Sequence, residues 1–221
     1  MIISLKEAQL VNMWKKFFSQ IYLLNLEKRV DRLLKCCEIF EQYNIPYKRI
    51  SAIEKENGAE GLKDTMMIVF EDAIKNNYQN ILVFEDDVKF VESVELFNET
   101  MNKVIEQIPS NYHTCFLGCQ ATAGFPNWYS TNLLPLNKGF ATHSVMYSLQ
   151  GINEIMVRGM GYPIDNWMVD EIQTLGHSYC VFPLLCTQYE GDSDIGKTWI
   201  NWDVFITQRY NQKINELRCQ N

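Results

Sequence analysis

The chain has 221 residues, 47% of them apolar and 21% charged, and a net charge of −7. These proportions are those of an ordinary globular protein, and the negative balance excludes the basic footprint that non-specific nucleic-acid binding needs. No apolar run approaches the ~20 residues of a membrane span, and the first twenty residues lack the basic start, apolar middle and small-residue exit of a signal peptide, so a cytoplasmic protein is expected.

Taken in chain order, Ser4 and Glu7 form a capping box. Leu10, Val11, Trp14, Phe17 and Phe18 follow at helical spacing, which predicts a helix over 4–18 packed on its own domain. Residues 20–26 are a mostly apolar run of strand length. Val30, Leu33, Leu34, Cys37 and Phe40 are predicted to share one face of the next helix. Pro46 opens a short strand over 46–53, and residues 62–77 read as a helix ended by Asn76 and Asn77. Ile81–Phe84 is a buried strand that runs straight into Glu85, Asp86 and Asp87.

Beyond residue 90 the signals weaken. Residues 93–108 predict a helix stopped by Pro109. Residues 113–119, 139–148 and 177–185 look like strands, 149–157 and 164–175 like helices, and 189–199 like an exposed loop. No linker, low-complexity run or internal repeat divides the chain. One domain over 1–221 is expected, with 1–19 as its helical extension. The seven cysteines include no CxxC pair, which argues for buried reduced thiols over a zinc site.

The strand–helix alternation predicts the α/β class, with a mainly parallel sheet flanked by helices. Ligands of such sheets bind beyond the carboxyl ends of the strands. The acidic Glu85–Asp87 turn falls at one such end and the basic loop carrying Lys28, Arg29 and Arg32 at another, so the two are expected to share a crevice. Oxygen-only ligands on a tight turn suit Mg²⁺ or Mn²⁺, with bound phosphate completing the shell. In an extended turn Glu85 and Asp87 face one side and Asp86 the other. Basic groups at a helix start hold phosphate oxygens. The two clusters together suggest a diphosphate bridged by a metal.

The segments IYLLNLEKRVDR, YKRISAIE, ILVFEDDV, YSLQGINEIM, YPIDNWMVDE and YEGDSDI occur in this order. Over roughly residues 20–195 the chain resembles glycosyltransferase family 25, the lipooligosaccharide and collagen galactosyltransferases. The resemblance implies a GT-A-type fold, a UDP-sugar donor, Mn²⁺ (or Mg²⁺), and inverting transfer of galactose or glucose to a hydroxyl on a glycan or protein. It implies that Glu85 and Asp87 face the metal, with Asp87 the likelier direct ligand, and that Asp86 touches the donor sugar or ribose. Asn25, Leu26, Arg29 and Arg32 would lie near the nucleotide and Ala52 beside its base or ribose. Asp165 would be the general base that deprotonates the acceptor. A third metal ligand is open among Asp192, Asp194, Asp203 and His143.

The family's Cys…Ser-His stretch before the acidic element is replaced here by GLKDTMMIVFEDA, with Asp64 and Thr65 in that region. That departure leaves open a degenerate homologue that binds a sugar nucleotide or glycan without transfer. A Mg²⁺-dependent phosphohydrolase is disfavoured by the lack of a D-x-D-x-[TV] run. Trp128, Tyr129 and Trp167 are candidates for stacking on sugar rings, with core and rim packing as the plainer reading.

Overall fold

The computed structural model describes residues 13–192 and 199–219. A short helix α1 (Met13–Phe17) leads into β1 (Gln20–Asn25), α2 (Val30–Gln42), β2 (Lys48–Ser51), α3 (Gly58–Lys75) and β3 (Asn80–Glu85). There follow β4 (Val88–Phe90), α4 (Val94–Gln107), β5 (Thr114–Phe116), β6 (Gln120–Ala121), β7 (Leu133–Pro135), β8 (Gly139–Phe140) and β9 (Ser144–Ser148). The chain continues through α5 (Leu149–Arg158), α6 (Ile164–Glu171), a 3₁₀ turn (Gln173–Leu175), β10 (Ser178–Val181), β11 (Cys186–Gln188), β12 (Gly191–Asp192), β13 (Trp199–Ile200) and α7 (Trp202–Arg218).

Seven strands form one sheet in the order β2-β1-β3-β9-β5-β10-β7. Strands β2, β1, β3, β5 and β10 run one way, and β9 and β7 run the other. The expected α/β class, with a mainly parallel sheet flanked by helices, is the observed one. Both faces of the sheet are covered, which is why its strands are continuous apolar runs. Tyr22, Leu24, Ile81 and Val83 pack on one side with residues of α3, α5, α6 and α7. Ile21, Leu23, Leu82 and Phe84 pack on the other with residues of α1, α2 and α4. Outside the main sheet β4 pairs with β11, β6 with β8, and β12 with β13.

The N-terminal helix does pack on its own chain. Trp14 is fully buried, its Nε1 donates to Asn98 Oδ1 at 2.7 Å, and its ring meets Phe97 edge-on. Ser4 and Glu7 lie outside the described residues. Among those residues no helix is long and apolar enough to cross a membrane.

Several expected elements shift. Helix α2 turns a different stripe inward: Cys36 and Phe40 are buried, whereas Val30 is 55% and Leu34 59% exposed. Helix α3 starts a turn earlier than predicted, because Asn57 caps it by accepting from the Ala59 N–H. The expected strand over 139–148 is broken at Ala141, whose φ of 73° turns the chain between β8 and β9. The helix expected over 164–175 gives way at Ile172 to a 3₁₀ turn. The strand over 177–185 ends at Val181, before the cis Phe182–Pro183 bond. Helix α7 and strand β7 had no counterpart in the sequence reading.

Candidate functional site

Strands β1, β2 and β3 are adjacent and parallel, so their carboxyl ends open on one side. A cavity of about 400 Å³ sits there. Its lining brings together Asn25, Leu26, Arg32, Ala52, Glu85, Asp86, Asp87 and Asp165, residues more than a hundred positions apart. Arg29 is not in the lining. It stands at the N-cap of α2, where its guanidinium grips Asp31 through two 3.1 Å hydrogen bonds.

The three acids of the turn have different surroundings. Asp86 is only 8% exposed, and both of its oxygens are taken. Asn25 Nδ2 donates to one at 2.7 Å and Arg32 Nη1 to the other at 2.9 Å. Asn25, itself 1% exposed, is in turn held by Arg49, whose Nε and Nη2 donate to its Oδ1 at 3.1 and 2.8 Å. From beneath, the Cys36 thiol donates to the Asp86 carbonyl at 3.4 Å. Asp86 is thus built into the cavity wall, with both oxygens already engaged.

Glu85 and Asp87 are half-buried, and both line the cavity. Glu85 accepts from Thr142 Oγ1 at 2.7 Å. Burial and the nearby Asp87 charge push its carboxyl up to about 8. Asp87 accepts from Gln188 Nε2 at 3.3 Å and lies 3.6 Å from Arg32 Nη1. Burial raises its pKa too, although the Arg32 charge opposes the rise. Like charges crowded in a poorly solvated site disfavour ionisation, so the pair invites a cation.

Asp165 comes from the first turn of α6, with one oxygen accepting from the Asn166 N–H at 3.0 Å. Behind it Tyr162–Pro163 is cis. In α3, Thr65 Oγ1 accepts from the Ile53 N–H at 2.8 Å and fixes the loop after β2. Gly61 is needed for that approach, since a Cβ there would lie 2.4 Å from the Ile53 carbonyl oxygen.

The candidates for a third metal ligand fare differently. Asp203 is committed elsewhere, to Lys89 at 2.6 Å and Thr187 Oγ1 at 2.7 Å. Asp192 belongs to β12, and Asp194 lies outside the described residues. His143 is 0% exposed and neither ring nitrogen has a hydrogen-bond partner. Among the described residues no three of His, Cys, Asp or Glu gather in a way that could hold a metal.

His143 instead marks an acid-sensitive point of the fold. Burial lowers its pKa to about 4; the Cys186 carbonyl, near the ring but outside hydrogen-bonding geometry, offsets this only in part. A folded pKa below the unfolded ~6.5 means stability is complete above pH ~6.5 and is lost as pH falls toward about 4. The loss is on the order of 3 kcal/mol. Glu85 acts with the opposite sign, gaining as pH falls from about 8, so a difference measurement isolates the histidine. Urea titrations of His143→Leu should match or exceed the parent at pH ~7.5 and gain a further ~2–3 kcal/mol over it at pH ~4.5. A pH-independent difference would contradict this.

Several lining residues had no signal in the sequence, among them Thr142, Gln188 and Trp202. They reach the cavity from the turn before β9, from β11 and from α7, whose positions depend on long-range contacts. The proposed stacking aromatics sit elsewhere. Trp128 packs on Phe182, Tyr129 on Tyr179, and the Trp167 ring lies against Gly161. None of these three lines the cavity, whereas Trp202 does.

No family model matches the chain, and no curated protein matches it. Solved structures do. The chain is similar to A197 from STIV at 11% identity and a TM-score of 0.48, covering 83% of this chain and 93% of that one. It is similar to a glycosyltransferase involved in the glycosylation of the major capsid of PBCV-1 at 14% identity and a TM-score of 0.47, covering 89% and 99%. It is also similar to CMP:2-keto-3-deoxy-manno-octonic acid synthetase at 7% identity and a TM-score of 0.40, covering 95% and 88%.

Proposed function

We propose that the chain is a GT-A-type, metal-dependent glycosyltransferase that moves a hexose, galactose or glucose, from a UDP-sugar to a hydroxyl of a glycan or protein, with inversion. The observation that carries this reading is that Glu85, Asp87, Asp165 and Arg32 line one cavity at the carboxyl ends of three adjacent parallel strands. The lining suits a nucleotide diphosphate: Leu26, Ala52 and Ile53 offer apolar surface for a base or ribose, and Lys28 and Arg32 bring positive charge.

The residues present fit Mn²⁺ or Mg²⁺. Such ions commonly take one or two carboxylates and complete their shell with water and phosphate, so Glu85 and Asp87 suffice without a third protein ligand. When bound, the ion would neutralise the diphosphate and the charge that grows on departing UDP. Arg32 is anchored by Asp86 and would add a fixed positive charge beside that diphosphate. Asp165 would take the proton from the acceptor hydroxyl as its oxygen bonds to the anomeric carbon and the bond to the β-phosphate oxygen breaks. Attack from the face opposite UDP gives inversion.

One observation favours the alternative of binding without turnover: Asp87 already has Gln188 and Arg32 as partners. Titration calorimetry with UDP, with and without Mn²⁺, tests the donor site, and absence of Mn²⁺-dependent UDP binding sinks the transferase and the sugar-nucleotide binder, leaving only a glycan binder. A UDP-release assay with UDP-galactose and UDP-glucose then separates transferase from binder.

A further inference from the structure

We propose that Glu54 is a resident competitor for the donor's phosphates, holding Lys28 at the cavity until a nucleoside diphosphate displaces it; this rests on the sugar-nucleotide reading above. Lys28, from the loop after β1, and Glu54, from the loop after β2, both line the cavity, and Lys28 Nζ lies 2.6 Å from Glu54 Oε1. The other lining cations sit in more buried ion pairs. Arg32 is bound by Asp86, with side chains only 16% and 10% exposed. Lys55 is bound by both Glu60 and Asp64 and is 32% exposed. The Lys28–Glu54 pair is 50% and 61% exposed, the most solvated of the three.

An exposed ion pair is worth about 0–1 kcal/mol, so it yields to a stronger anion. A diphosphate brings more charge and more acceptor oxygens than one carboxylate. Nor is the pair needed to hold the two loops together. The Ala52 N–H donates to the Asn25 carbonyl at 3.0 Å, and Ser51 Oγ donates to Glu27 Oε1 at 3.0 Å. Removing the Glu54 charge therefore leaves the loops tied, frees Lys28 from this competitor, and takes one negative charge from a cavity already rich in carboxylates.

The test is calorimetric titration of the parent, Glu54→Gln and Glu27→Gln with UDP plus saturating Mn²⁺, and separately with inorganic pyrophosphate plus Mn²⁺. Glu27 carries the same charge in the neighbouring loop but does not line the cavity. Glu54→Gln should bind UDP about two- to five-fold tighter at low salt, the factor an exposed pair supports. The gain should shrink at ~1 M salt, where the screening length is about 3 Å. Glu27→Gln should match the parent. Unchanged or weaker UDP binding by Glu54→Gln overturns the proposal, and so does an equal gain in Glu27→Gln, which would mark a diffuse charge effect. If the parent binds pyrophosphate but not UDP, the sugar-nucleotide reading fails, while tighter pyrophosphate binding by Glu54→Gln still supports the competition. Binding of neither ligand overturns both.

Discussion

Asp87→Asn should lower transfer from the UDP-sugar by about 10³-fold or more and remove the Mn²⁺ dependence of UDP binding, while the melting temperature holds or rises. The rate figure follows from the several kcal/mol that a bound divalent ion supplies to a developing phosphate charge. The stability figure has the opposite sign for a physical reason. Asp87 is a poorly solvated carboxylate beside Glu85, and burial raises its pKa. An amide of the same shape removes that repulsion. Gln188 can still hydrogen-bond the side chain, and Arg32 keeps its 2.9 Å partner Asp86. A variant that loses activity and also melts earlier would point to a structural role for Asp87. One that keeps Mn²⁺-dependent UDP binding would remove Asp87 from the metal site.

Much of this site could be read from residues close in sequence. Ile81–Phe84 ends in three acids because a strand covered on both faces must be apolar until it leaves the sheet, and the acids stand where it does. Asn25 and Arg32 were legible for the same reason, as they follow another such strand. What the acids do was harder to see. The alternation that sends Asp86 away from Glu85 and Asp87 does not reveal Asn25 and Arg32 waiting there, so the wall position of Asp86 needed the fold.

Other elements were hidden by local ambiguity. Helix α2 carries two overlapping apolar stripes, and only packing against the sheet chooses Cys36 and Phe40 over Val30 and Leu34. Helix α7 buries Ile206, Tyr210, Ile214 and Leu217, a narrow stripe in an otherwise polar segment. Its contribution to the cavity, Trp202, is placed by ties distant in sequence: Asp203 is bound by Lys89 of β4 and Thr187 of β11. Nothing within α7 announces those partners.

Asp165→Asn should reduce transfer by about 10²–10⁴-fold, the range general-base catalysis contributes, with UDP affinity undiminished. The asparagine retains an oxygen that can accept the Asn166 N–H, as Asp165 Oδ1 does at 3.0 Å, so the start of α6 should keep its form. What it loses is a lone pair basic enough to take a hydroxyl proton. The split between rate and donor binding is the informative part. A carboxylate that only balanced charge would, when removed, tighten UDP binding and leave the rate at saturating donor and acceptor near the parent's. A base on the acceptor side would act on the rate with acceptor present, whether or not the lost charge also tightens UDP binding. Hydrolysis of the UDP-sugar by water gives a second contrast, since a water molecule need not attack from the place where Asp165 would meet the acceptor hydroxyl. Asp165→Asn should therefore lose transfer more than hydrolysis, and equal losses in both would assign the group to the donor side.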